Sequence, residues 1–492
     1  MSRCILRLKW ACLDSRRSMA HSALPFVIAT LLMASTHADA LAPVDNPPRT
    51  TQSSSVACNF DSLDFHESTD VNWFRNYAGA LADLLRQQDF DQLDCIADSA
   101  RSKKARFSSG GWKLHEIYRS LDEPQKGVHA TEEDWNDHLT RLERWVSAKP
   151  ESITARIALA KSYAGYAWDA RGKGYADTVS DSGWRLFRQR LEKAKSILDD
   201  AAKLRTKCPE WYVVMQQVAL GQGWDEDSAS TLFEQAVALE PRYECYYQMQ
   251  ANFLLPKWTG EPGDSARFAE KTADAVGGTQ GDVLYFWIAA QIECEDQEFK
   301  RLLWPRIQKG FEQLGKEYGH SITQLNLFAR MAITEVDAIA ADTAFKQIGE
   351  NWDQETWRTE KYFNQSKQWA TGMAPSEMRQ RSLIQEATNN TQTPEGARYQ
   401  KEIEQRFAPF MRQCAQTAGD DRRKFEFVIE ITVDGRLQDA LTNHLPAPIT
   451  NCLMEKIAMS EVNTKQKPFP PPPHAGYWLK VELDASAFVA AN

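Results

Sequence analysis

From about residue 70 to residue 370 the apolar positions recur every three or four residues, interrupted at short intervals by turn-forming residues. That spacing puts one apolar stripe on each of a succession of amphipathic helices. In 131–148 the stripe is Trp135, Leu139, Leu142 and Val146; Thr131 and Asp134 begin it as a capping box, and Pro150 forbids its continuation. In 182–205 it is Phe187, Leu191, Ala194, Leu198 and Ala201. Pro209-Glu210-Trp211 and Pro241-Arg242-Tyr243 both read as helix starts, and they lie 32 residues apart. Between them LFEQAVALEP (232–241) supplies a second helix, with Ala236 small enough for a close contact. A repeat of that length predicts stacked antiparallel helix pairs forming a curved superhelix.

The period changes after the polar stretch ATNNTQTPEGA (387–397). Ile403, Phe407, Phe410 and Cys414 make a helical stripe, with Pro409 as an expected kink. FEFVIEITVDGRL (425–437) then alternates, with Phe425, Phe427, Ile429, Ile431 and Val433 on one face and a hairpin signal at Asp434-Gly435. Ile449, Cys452, Leu453 and Ile457 form a second helical stripe, and Leu479, Val481 and Leu483 alternate in YWLKVEL (477–483). Helix, two strands, helix, strand is a small α+β domain. The expected organisation is 66–375 helical, 376–396 a linker and 397–488 the α+β domain.

Composition agrees with a folded chain: of 492 residues, 42% are hydrophobic and 25% charged. The first 40 residues differ from the rest. Arg3, Arg7, Lys9, Arg16 and Arg17 precede the apolar run ALPFVIATLLMA (23–34), and Ala38 and Ala40 bracket Asp39 in an A-x-A pattern. The run is too short to span a bilayer, so 1–40 reads as a cleaved secretory signal and 41–65 as a Pro/Ser/Thr-rich linker. No later segment has the length and apolarity of a transmembrane anchor. Periplasmic or secreted location is the expectation. The formal charge is −9, and the densest basic run beyond the signal is the short RSKKAR (101–106), so nucleic acid is not an expected partner. Cys58, Cys95, Cys208, Cys245, Cys294, Cys414 and Cys452 follow the signal, an odd number, which leaves at least one unbridged within the chain.

No catalytic motif emerges: G-x-S-x-G, a phosphate-binding loop and H-E-x-x-H are all missing, and no Cys/His spacing suits a metal. No cofactor is expected. Sixteen tryptophans are many. Among them Trp112, Trp168 and Trp258, with Arg156 and Arg171, are the binding candidates, because Trp and Arg anchor recognition surfaces. The competing reading makes the tryptophans wedges between helices. It also makes Arg171 a complement to the dipole of a helix that Gly172 terminates. LLPKWTGEPGD (254–264) is either a functional loop or a fixed turn with Trp258 tucked in; Asp264 reads as an N-cap.

SGGW (109–112), AWDARGKG (167–174) and LLPKWTGEPGD together resemble a bacterial family of tetratricopeptide-like helical domains of unknown function, over roughly residues 80–300. ITVDGRL (431–437), the helix around Cys452 and KPFPPPPHAGYWLKVEL (467–483) resemble the C-terminal domain of TonB energy transducers, and more closely that of gliding-motility proteins. The second resemblance implies a Cys414–Cys452 disulfide and makes the prolines an ordered connector with Gly476 turning into the last strand. It also brings the expectation that an exposed sheet edge captures an extended partner peptide. The fold expectation is thus a mainly α chain: a tetratricopeptide-like superhelix followed by a small α+β TonB-like domain. The functional expectation is an exported scaffold for an envelope protein or peptide. The alternative is an enzyme or binder acting on cell-wall polymer, peptidoglycan, through a Trp-lined groove and paired carboxylates.

Overall fold

The structure is a computed structural model. It describes Cys58 and residues 66–125, 130–172, 174, 176–418, 424–441, 452, 455 and 468–484. The expected signal, nearly all of the 41–65 linker and most of the helix expected around Cys452 lie outside the described residues. The molecule is mainly helical with one small sheet, and it divides into two compact units. One comprises residues up to Glu335 with Gln347–Glu360; the other comprises Val336–Lys346 and the chain from Lys361 onward.

The first unit runs α1 (Trp73–Gln87), α2 (Phe90–Ser102), α3 (Lys113–Ser120), α4 (Glu132–Ala148), α5 (Ile153–Arg171), α6 (Asp181–Ala202), α7 (Pro209–Gln222) and α8 (Glu226–Leu239). It continues with α9 (Cys245–Phe253), α10 (Asp264–Val276), α11 (Gly278–Ile292), α12 (Asp296–Phe299), α13 (Trp304–Glu317) and α14 (Ile322–Thr334). Local chemistry sets many of the starts. Thr131 and Asp134 form the expected capping box of α4, Ser152 and Ser180 cap α5 and α6, and Pro209 opens α7. Two expected starts differ. Pro241 lies in a turn, and α9 begins only at Cys245; Gly263 is the N-cap of α10, so Asp264 is its first helical residue. Asp264 instead folds back to accept a bond from the Glu261 N–H at 2.6 Å. Helices α4, α6 and α13 bury a single stripe each, whereas α5, α9 and α11 are buried nearly all round and form the centre of the unit.

The second unit contains most of α15 (Ala338–Ile348); after the one-turn α16 (Gln354–Trp357) of the first unit come α17 (Glu360–Thr391) and α18 (Pro394–Ala418). The stretch expected as a linker, 376–396, is therefore helical through Thr391. It continues the helix whose buried stripe is Phe363, Ser366, Ala370 and Ala374, its first part (EMRQRSLIQEA) is rich in helix formers, and Ala387 is again buried. Only a tight turn, with the Gly396 N–H donating to Thr393 Oγ1 at 3.0 Å, separates α17 from α18. Helix α18 continues past Pro409 to Ala418.

Three antiparallel strands follow, β1 (Lys424–Ile431), β2 (Leu437–Leu441) and β3 (Tyr477–Asp484), in the order β2-β1-β3. Phe427, Ile429 and Ile431 are buried along β1 as their alternation predicts, but Val433 sits in the hairpin turn, 63% exposed. Gly435 holds φ +75, and a Cβ there would lie 2.0 Å from the Phe469 carbonyl oxygen. That contact locates the proline segment. The Phe469 N–H donates to the Gly435 carbonyl at 2.9 Å, Arg406 lies over the Phe469 ring, and the Tyr399 hydroxyl donates to the Pro470 carbonyl at 2.8 Å. The first prolines are an anchored connector. Cys414 and Cys452 form a disulfide, as do Cys58 and Cys95.

Candidate functional site

The charged groups inside the helical unit come together at Glu210, in the first turn of α7 and fully buried. Lys161 of α5 pairs with its Oε1, His115 Nδ1 of α3 lies 2.9 Å from Oε2, and the Tyr243 hydroxyl donates to Oε2 at 2.7 Å. Burial alone would raise the Glu210 pKa; the facing His115 and Lys161 outweigh it and hold the carboxyl down at about 2. Beside this hub the Cys208 thiol meets the Tyr118 hydroxyl at 3.4 Å and Arg101 at 4.0 Å. Burial raises the pKa of Cys208, although Arg101 opposes it. These partners come from three helices and the turn before α9, and each charge faces an opposite charge or a hydroxyl. The hub is built to hold helices together, and its members are sealed from solvent.

A second constellation reaches the surface. Helix α5 ends at Gly172, and α6 starts close by because Gly183 has no Cβ; one built there would lie 2.8 Å from the Ala170 carbonyl oxygen. The Arg171 guanidinium consequently lies 5.4 Å from the Trp184 ring and 5.7 Å from the Trp168 ring. It donates to the Gly174 carbonyl at 3.0 Å, and burial lowers its pKa without removing its charge. Trp168 packs edge-on against Phe187 and Trp258, at 4.8 and 5.7 Å. Trp258 is half-buried in its turn, where the Thr259 hydroxyl donates to the Phe253 carbonyl at 2.7 Å. Both readings of LLPKWTGEPGD meet here: the turn is fixed, and its tryptophan joins the corner.

Against this corner opens a cavity of about 760 Å³, lined among the described residues by Asp181, Ser182, Trp184, Arg185 and Arg188. Of the five binding candidates, Trp168, Arg171 and Trp258 are together, but none of them lines the cavity: Trp168 and Arg171 are buried behind Trp184. Trp112 and Arg156 are not with them. Trp112 is buried, donating from Nε1 to Glu244 Oε2 at 2.7 Å beneath the Arg106 guanidinium, so it is a wedge. Arg156 binds the Pro150 and Ser152 carbonyls at the start of its own helix. Arg185 and Arg188 went unnoticed in the sequence. The available signal was two arginines one turn apart near the positive end of a helix, where they do nothing for helix stability. Only Asp181 among the described lining residues is a carboxylate, so a carboxylate pair is not present in that lining. Among the described residues no His/Cys/Asp/Glu group suits a metal ion.

In the sheet, β3 is an edge strand among the described residues, and its outward backbone is occupied. Asn390 Nδ2 donates to the Trp478 carbonyl at 2.9 Å. The Thr391 hydroxyl donates to the Lys480 carbonyl at 2.8 Å and accepts from its N–H at 3.0 Å. The Gln400 amide makes the same double contact with Glu482, at 2.6 and 3.4 Å. Side chains from α17 and α18 stand where a further strand would pair. Capture of a peptide on this edge, as the strand-addition expectation requires, would have to displace them.

No protein-family model matches this chain, and no curated protein matches it. Among the described residues, no helix is long and apolar enough to cross a membrane.

Proposed function

We propose that this protein is an exported interaction scaffold, whose helical unit presents a binding surface at the corner of α5 and α6. One observation carries the reading: Trp184 lines an open cavity together with Arg185 and Arg188, and it is held there from behind by the buried Arg171, itself beside Trp168 and Trp258. Aromatic and guanidinium groups held on rigid helices lose little entropy when a partner docks. The N-terminal charge and apolar pattern supports export, as do two disulfides, which persist in oxidising compartments. The strand order and the Cys414–Cys452 bond are compatible with a TonB-like module, and the helix pairs with a tetratricopeptide-like array.

The test has two arms. A photo-crosslinking amino acid at Ser182, in cells exporting the protein, should capture a discrete envelope protein, while the same group at the exposed Lys203, at the far end of α6, should not. Purified protein mixed with cell-wall sacculi should release no soluble fragments. Release of fragments would replace the scaffold by an enzyme, and no capture at Ser182 would remove the α5–α6 surface.

A further inference from the structure

We propose that the cleft along α6 takes an extended acidic polypeptide segment, its carboxylates on Arg185 and Arg188 and an apolar side chain against Trp184. This rests on the scaffold reading and names the chemistry of the partner. Arg185 and Arg188 are exposed, and neither makes an ion pair among the described residues. Cations further along α6 and on other helices do have an acidic neighbour, as in Lys195–Asp199 and Lys203–Asp200 at the far end of α6, and Lys316–Glu312 and Arg86–Asp83 elsewhere. In a chain of net charge −9, two guanidiniums without an ion-pair partner among the described residues, set beside an aromatic wall, make a local field that selects carboxylates, which arginine binds in a two-pronged geometry.

The other lining groups narrow the class. Trp184 is braced by Phe187 at 5.7 Å and by Arg171, yet it stays half-exposed where it lines the cleft. It is therefore a fixed platform for an apolar side chain. Asp181 accepts N–H donors and repels a compact dianion, and the Ser182 hydroxyl either donates or accepts. A peptide backbone offers N–H donors and carbonyl acceptors alternately along an extended segment, whereas inorganic phosphate is a compact anion that cannot engage both arginines and the aromatic wall at once. A cavity of about 760 Å³ has room for a few residues of such a segment.

The test uses the full-length exported protein and a fluorescein-labelled decapeptide alternating Asp or Glu with Phe, read by anisotropy. Its counterpart with Asn and Gln should bind about tenfold more weakly, and added salt should narrow that gap. The double variant Arg185→Glu/Arg188→Glu should also lose about tenfold for the acidic peptide, with unchanged circular dichroism and thermal midpoint, because both side chains are exposed. Trp184→Ala should weaken both peptides. Equal affinity for the two peptides, or a double variant within about twofold of the parent, overturns the proposal. Displacement of the peptide by millimolar inorganic phosphate at constant ionic strength also overturns it, by making the ligand a compact anion. A partner captured at Ser182 equally well by parent and double variant would retain the scaffold and remove the acidic segment. Absence of any capture would remove the scaffold itself.

Discussion

At the scale of single residues, the Glu210 hub sets the sharpest expectations. Replacing Glu210 by Leu leaves Lys161 buried opposite an apolar group, and breaking a buried pair in this way costs about 3–5 kcal/mol. Urea denaturation of Glu210→Leu should show that loss, and a second change, Lys161→Met, should recover part of it. The pH dependence has a definite sign. Glu210 has a folded pKa of about 2, below its unfolded value, so its contribution is complete above about pH 4.5 and disappears as pH falls toward 2. His138 and His320 act in a higher window. Burial holds both down at about 4, so the unfolded chain binds their protons first and stability falls between about pH 6.5 and 4. A urea midpoint that drops across that window, and drops less in His138→Gln, is the expected result. Cys208, buried with its pKa raised, should resist alkylation at pH 7.5 until denaturant is added, as mass spectrometry would record.

At the scale of elements, the covered β3 edge is the most informative feature. An edge strand with free backbone groups is a template for pairing with another chain, and here Asn390, Thr391 and Gln400 cover that template. Thr391→Val with Gln400→Leu should uncover the Lys480 and Glu482 backbone. Each lost hydrogen bond costs about 1 kcal/mol, and the exposed edge should promote self-association. Sedimentation velocity at rising concentration should find the variant dimerising where the parent stays unchanged; a variant as monodisperse as the parent would show that the side chains are not what protects the edge. The same feature explains why the polar pattern of 376–396 does not reveal its helix. Its polar residues look like linker because the contacts that order them are made to β3, about ninety positions away in the chain for Thr391.

At the scale of the whole molecule, the disulfides Cys58–Cys95 and Cys414–Cys452 tie separated parts of the chain, closing loops of 37 and 38 residues. Loops of that length give a stabilisation of about 2–4 kcal/mol each. The double variant Cys414→Ser/Cys452→Ser should therefore unfold its C-terminal unit at lower denaturant, followed by amide exchange in β1 and β3. Reductant should lower the parent to the same level and leave that variant's sheet unaffected.

The sequence by itself determined the elements. Apolar spacing, caps and the Asp434-Gly435 turn act between neighbours in the chain, so α4, α6, α7 and the β1–β2 hairpin were legible from a few residues each. It also determined that Trp168, Arg171 and Trp258 were worth following. What it left open was which residues meet. Trp112 and Trp184 are the same residue type, yet one is sealed beneath Arg106 and the other lines a cavity, with the buried Trp168 packed behind it through Phe187 and Arg171. That difference comes from how closely α5 and α6 approach at Gly183, and from where the turn after α9 delivers Trp258. The Glu210 hub likewise brings His115, Lys161 and Tyr243 from positions up to 95 residues away. Local periodicity carries no information about such distances; only the packing of helix on helix does.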